Sequence, residues 1–167
     1  MEQLWAPWRL PYITAAKPTT AEAPCFICDG LAGNDDRGHL IAQRTPWSVV
    51  LLNRFPYNNG HLLVAPRAHK GQLSELNSDE LVQVMETLRQ MVRVLDRLMH
   101  PDGYNIGLNL GRVAGAGLLG HLHWHVVPRW QGDTNFMPIV ADAKVISQAL
   151  EALYDLLVTN LREEMLK

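Results

Sequence analysis

His121-Leu122-His123-Trp124-His125-Val126-Val127-Pro128-Arg129-Trp130 alternates histidine with large apolar residues. A β-strand sends successive side chains to opposite faces, so His121, His123 and His125 are expected on one face, about 7 Å apart. Leu122, Trp124 and Val126 then face a core. Packing accounts for a lone histidine held by hydrogen bonds, but not for three imidazoles in a row. The row reads as a reaction centre or a metal site.

Outward from that stretch, the chain supplies hairpins and helices. Trp47 to Asn53 is β-branched and apolar, Phe55 to Gly60 is turn chemistry, and His61 to Pro66 returns, which predicts an antiparallel hairpin over 47–66. Asn77 with Glu80 three places on is a capping box. Leu81, Val84, Met85, Leu88, Met91, Val92, Leu95 and Leu98 follow at helical spacing, predicting a helix to about Met99 that Pro101-Asp102-Gly103 ends. Tyr104 to Leu110 is a third strand, Gly111 to Gly117 a glycine-rich loop, and Ala143 to Glu164 a final helix. Cys25 to Gly30 reads as a short turn and Asn34 to Gly38 as a polar loop. Strands and helices in this order predict an α+β fold, helices on an antiparallel sheet.

The 167 residues form one domain by length. Residues 1–24 read as an irregular arm whose Trp5, Trp8 and Tyr12 pack on the domain or on a second subunit. Apolar content of 47% and charged content of 19% suit a soluble globular chain. A net charge of −2 argues against a sequence-independent grip on long nucleic acid, which depends on many phosphate contacts. It leaves room for a small phosphorylated ligand. No apolar run approaches the length of a membrane helix. Met1 to Arg9 lacks a signal-peptide pattern, and the two cysteines sit close together, so a cytoplasmic location is expected.

The glycine loop lies between two strands, so it is no dinucleotide fingerprint. Beside the histidines its backbone N–H groups form a plausible anion cradle. Cys25 and Cys28 have the C-x-x-C spacing of either a redox pair or half of a tetrahedral zinc site. The free candidates for the other ligands are His39, His61, His69, His100 and one member of the trio, and spacing does not choose among them. The trio itself cannot share one ion, because His121 and His125 lie about 13 Å apart on an extended strand. Covalent chemistry uses the row more naturally. A neutral imidazole attacks phosphorus while its neighbours donate to developing charge.

His121-Leu122-His123-Trp124-His125-Val126-Val127 resembles the His-x-His-x-His-x-x signature of the histidine triad (HIT) superfamily of nucleotidyl hydrolases and transferases. Asn53 with Asn59 to Pro66 looks like its first hairpin. Gly107-Leu108-Asn109 with Ala114-Gly115 looks like its loop before the triad. Trp5 to Arg9, Cys25-x-x-Cys28 and Pro128 to Phe136 are similar to a bacterial branch grouped with fragile-histidine-triad hydrolases and phosphorylases of diadenosine polyphosphates.

The resemblance implies a HIT-like sheet with one long central helix, a homodimer, and cleavage of a dinucleoside polyphosphate such as diadenosine tetraphosphate. It makes His123 the nucleophile on the α-phosphate, with His125 and Asn109 contacting phosphate and Asn53 holding the ribose. It implies a structural Zn2+ on Cys25, Cys28, His69 and His121, and any Mg2+ would arrive with the substrate. The chain departs from the family pattern at Ala114 to Gly120, which lacks a polar side chain. Backbone amides around Gly115, Ala116 and Gly117 would have to hold the phosphate. Whether water or inorganic phosphate resolves the intermediate stays open, as does a binding module without turnover.

Overall fold

The computed structural model describes residues 24–135, 137–138 and 145–165. The expected arm over 1–24 therefore lies outside the described residues, Pro24 excepted. Three α-helices and five strands are present among those described. They are α1 (Phe26–Ala32), β1 (Ile41–Arg44), β2 (Ser48–Leu52), β3 (Leu62–Pro66), α2 (Ser78–Met99), β4 (Gly103–Leu108), β5 (Trp124–Arg129) and α3 (Leu150–Met165). The strands form one antiparallel sheet in the order β1-β2-β3-β5-β4. This is the expected α+β architecture.

Strands β2 and β3 are buried along their whole length, which is why they read as apolar runs rather than as an alternation. Val50, Leu52, Leu62 and Val64 face one core with Leu122, Trp124 and Val126. Helix α2 lays Val84, Leu88, Met91, Val94 and Leu95 on that face, and α3 adds Leu153, Tyr154, Leu157 and Leu161. Val49, Leu51, Leu63 and Ala65 face the other side, where Ile41 and α1's Ile27 join Cys25. Among the described residues, α1 is the helix that packs on this second face.

Asn77 caps α2 through its side chain, and Glu80 closes the capping box. Leu81 and Met85, expected in the buried stripe, are exposed. Three expectations are corrected. Cys25 to Gly30 is not a turn: Cys25 caps a two-turn helix. Strand β1 went unread, being four residues of mixed character with a bulge between Ile41 and Gln43. Helix α3 begins at Leu150, and residues 145–149 are not helical. Nothing buries Val145, and the first core residue of α3 is Leu153.

Candidate active site and adjacent metal centre

Antiparallel pairing carries one row of side chains across the second face. Ile41 pairs with Leu51, Leu51 with Leu63, and Leu63 with His125. The row starts as hydrocarbon and ends at an imidazole. Above it lies a cavity of about 990 Å³ lined by Phe26, Leu51, Leu63, Asn53, Asn109, His123 and His125 among others. Gly115 and Gly117 also line it, while Ala116 does not.

The strand that carries the triad is shorter than expected. Strand β5 begins at Trp124, so His121 and His123 precede it, although Leu122 and Trp124 still enter the core between them. His121 is not on the cavity wall. The three imidazoles have three different sets of partners, and these fix their tautomers.

His121 Nε2 donates to the Pro66 carbonyl at 2.8 Å, which leaves Nδ1 without a proton. That Nδ1 lies 3.3 Å from Cys25 Sγ and 3.5 Å from Cys28 Sγ. His69 Nδ1 lies 3.2 Å from Cys28 Sγ. All four ligand atoms fall within 4.8 Å of one another. Zinc bonds of 2.0–2.3 Å place ligand atoms about 3.3–3.8 Å apart in a tetrahedron, so the donor set fits zinc. The Pro66 carbonyl supplies the outer partner that orients a ligating histidine. Without a cation, burial and the neighbouring Cys25 push the Cys28 thiol up to about 11. Such a four-ligand site would be closed, and a bound ion would tie the N-terminal end of α1 to the segments that follow β3 and precede β5.

His123 Nδ1 donates to the His121 carbonyl at 2.9 Å. Its Nε2 keeps the lone pair, and the ring lines the cavity. His125 has the reverse assignment. The Tyr57 amide donates to His61 Nδ1 at 3.0 Å, so His61 carries its proton on Nε2. That Nε2 donates to His125 Nδ1 at 2.9 Å. The proton of His125 therefore sits on Nε2, which is buried with no partner among the described residues. An unpaired buried donor costs on the order of 1–3 kcal/mol. Both rings are held neutral. Burial, then the nearby imidazoles, lower His61 to about 3, and burial with His123 lowers His125 to about 4.

Asn53 Oδ1 accepts from the Phe55 amide, while its Nδ2 lies 3.3 Å from His61 Nδ1. Asn109 Nδ2 donates to the Gly115 carbonyl at 3.4 Å. The glycine loop differs from the open cradle expected of it. A 3₁₀ turn over Arg112–Ala114 forms there, and the amides of Gly115 and Ala116 donate to Arg112 and Gly111 carbonyls. These two amides are committed to the turn and are not free for an anion.

Among the histidines that sequence left unassigned, His39 lines the cavity and His100 caps α2 in a left-handed conformation. The role of His61 was not visible in the sequence. Its parity with Leu63 placed it on the right face, but only the pairing of β3 with β5 brings it to His125.

The sequence model of the HIT domain matches residues 38–132. An AP-4-A phosphorylase of Mycobacterium tuberculosis is 37% identical over 164 residues, covering 96% of this chain and 84% of that protein. A bis(5'-nucleosyl)-tetraphosphatase [asymmetrical] of Schizosaccharomyces pombe is 30% identical over 58% of this chain and 52% of its own length. The fold matches a Zn-bound histidine triad family protein from Mycobacterium smegmatis with a TM-score of 0.68 and 23% identity, covering 87% of this chain and 98% of that one. The family model and the full-length relative agree with the triad geometry: the chain belongs to the HIT domain family.

Proposed function

We propose that this chain is an enzyme that transfers a nucleotidyl group from a dinucleoside polyphosphate, diadenosine tetraphosphate in the first instance, through a covalent bond to His123. The observation that carries this reading is the His123 ring on the cavity wall with its Nδ1–H fixed on the His121 carbonyl, which leaves the lone pair on Nε2. Attack by Nε2 on the α-phosphorus forms a P–N bond and breaks the bond to the bridging oxygen, which leaves with the rest of the polyphosphate. The imidazole becomes cationic, and the His121 carbonyl stabilises that charge through Nδ1–H. His125 Nε2–H donates to a phosphate oxygen as charge develops there. An oxygen of the acceptor then attacks the same phosphorus, and the P–N bond breaks to restore neutral His123.

Inorganic phosphate is the acceptor favoured here, because the relative that matches nearly the whole chain is named a phosphorylase. Phosphorolysis of diadenosine tetraphosphate gives ADP and ATP, whereas hydrolysis gives AMP and ATP. Product analysis with and without phosphate tests this: ADP formed only with phosphate supports it, and AMP in both cases replaces it with hydrolysis. A nucleotidyl adduct on His123, trapped by rapid denaturation, supports the covalent step, and turnover without an adduct removes it.

Zinc on Cys25, Cys28, His69 and His121 would cross-link the fold and supply no reaction chemistry. Metal analysis of the purified protein checks this assignment. The homodimer belongs to the same proposal. Strand β4 is an outer strand whose Asn105, Ile106 and Gly107 are exposed, which supports pairing with a second copy, and sedimentation measures it.

A further inference from the structure

Two phenylalanines, Phe26 and Phe55, fall among the described residues, and neither enters a core. Both line the same cavity, Phe26 at 45% exposure and Phe55 at 80%. Phe26 comes from α1, whose Ile27 shares a core cluster with Leu51 and Leu63. Phe55 comes from the connection between β2 and β3, beside Tyr57, which is 52% exposed.

This connection is held in place. The Phe55 amide donates to Asn53 Oδ1 at 2.9 Å and the Tyr57 amide to His61 Nδ1 at 3.0 Å. Pro56 between them fixes its own φ. The Tyr57 ring stacks on His125, centroids 5.6 Å apart. A planar, sequence-tolerant stacking surface thus stands beside the triad on a backbone whose geometry is tied to it. The cavity, at about 990 Å³, is at the top of the roughly 300–1,000 Å³ typical of small-molecule sites, more than a single nucleotide needs.

We infer that Phe55 is a stacking platform for the second nucleoside of the substrate, the one that leaves with the polyphosphate, while the Phe26 side of the cavity takes the nucleoside whose α-phosphate His123 attacks. This inference rests on the dinucleoside reading above and adds to it a residue and a place for the outer base. Aromatic stacking suits that end because every base offers a π-face and no edge must be read.

The test is calorimetric binding to the full-length His123→Asn protein, which holds ligand without turnover. Two probes are compared: diadenosine tetraphosphate, and adenosine 5'-tetraphosphate, which has the same phosphates and one nucleoside. Phe55→Ala is expected to weaken the first about tenfold, within the range of one stacked base, and to change the second less than about twofold. Phe55→Trp is expected to restore the difference. Equal losses on both probes, or none on either, overturn the inference. So does a shift in sedimentation on Phe55→Ala, which would mean that the ring packs on another copy. Discrimination between the probes in a chain whose parent form turns over neither would refute nucleotidyl transfer and leave the platform standing. Turnover of the dinucleoside with no Phe55 effect would do the opposite.

Discussion

His121 and His125 are four residues apart in one alternating stretch, yet their ring nitrogens are held in opposite ways. His121 donates through Nε2 to Pro66 and points a bare Nδ1 at two thiols. His125 accepts on Nδ1 from His61 and carries its proton on a buried Nε2 that has no partner among the described residues. Both are neutral imidazoles, and the partner on the far nitrogen decides whether the near one can ligate or donate. His123 lies between them with its proton on Nδ1, and its backbone acceptor is the carbonyl of His121. An imidazole's job is set by what holds the nitrogen it does not use.

The most severe test removes the bare nitrogen of His123. His123→Ala is expected to lower turnover on the order of 10⁴-fold or more with an unchanged melting temperature, measured by product formation and calorimetry. Activity within tenfold of the parent would erase the distinction between the two ends. Removing His121 should act on the fold instead. His121→Ala, or chelation of the parent protein, is expected to cost about 3–4 kcal/mol, the contribution of a ligand present at 100 to 1,000 times its dissociation constant. Denaturant titration with and without added zinc reads it, and chelation that stopped turnover at once without unfolding would give the metal a place in the chemistry.

Loss of the donor at His125 should fall between these. His125→Ala is expected to reduce kcat about 10²–10³-fold, as for one oxyanion donor, with His125→Gln recovering part through its amide N–H. An equal effect of Ala and Gln would show that shape matters there and the proton does not.

Acidity sharpens the contrast further. The folded values of about 3 for His61 and about 4 for His125 lie below the unfolded value near 6.5. The unfolded chain therefore binds protons that the folded chain refuses as pH falls from about 6.5 toward 4. Stability from these two rings is complete above pH 6.5 and declines through that window. His61→Gln is expected to flatten the decline, measured as denaturation midpoints between pH 7 and 4.5. The smallest effect is expected at Gly120→Ala. The added Cβ would stand 3.1 Å from His69 Nε2, so a few-fold loss of zinc affinity is expected with catalysis unchanged, read by competition with a chelator.

Much of this was legible in residues alone. The β2–β3 hairpin and α2 followed from turn chemistry, a capping box and helical spacing, all of which act over a few residues. The triad's parity held even where the strand did not, because Leu122 and Trp124 are drawn into the core on their own account. Neither α1 nor β1 was visible. A seven-residue helix has too little periodicity to read, and β1 owes its place to pairing with β2. Likewise, the candidate ligand set Cys25, Cys28, His69 and His121 came from family resemblance and not from spacing. Its cysteines and histidines lie 41 to 96 positions apart where they meet, and folding alone joins them. The glycine loop misled for a local reason: its amides close on their own turn.

Strand β3 has a consequence for how this site can vary. Its final carbonyl, at Pro66, anchors His121, and the residue before its start, His61, anchors His125. Five residues thus work as a caliper whose jaws grip both ends of the triad. Lengthening the 111–117 loop leaves the gauge alone, whereas a single inserted residue within β3 would release one jaw or the other. Natural or engineered length changes should therefore collect in the loop and avoid the strand.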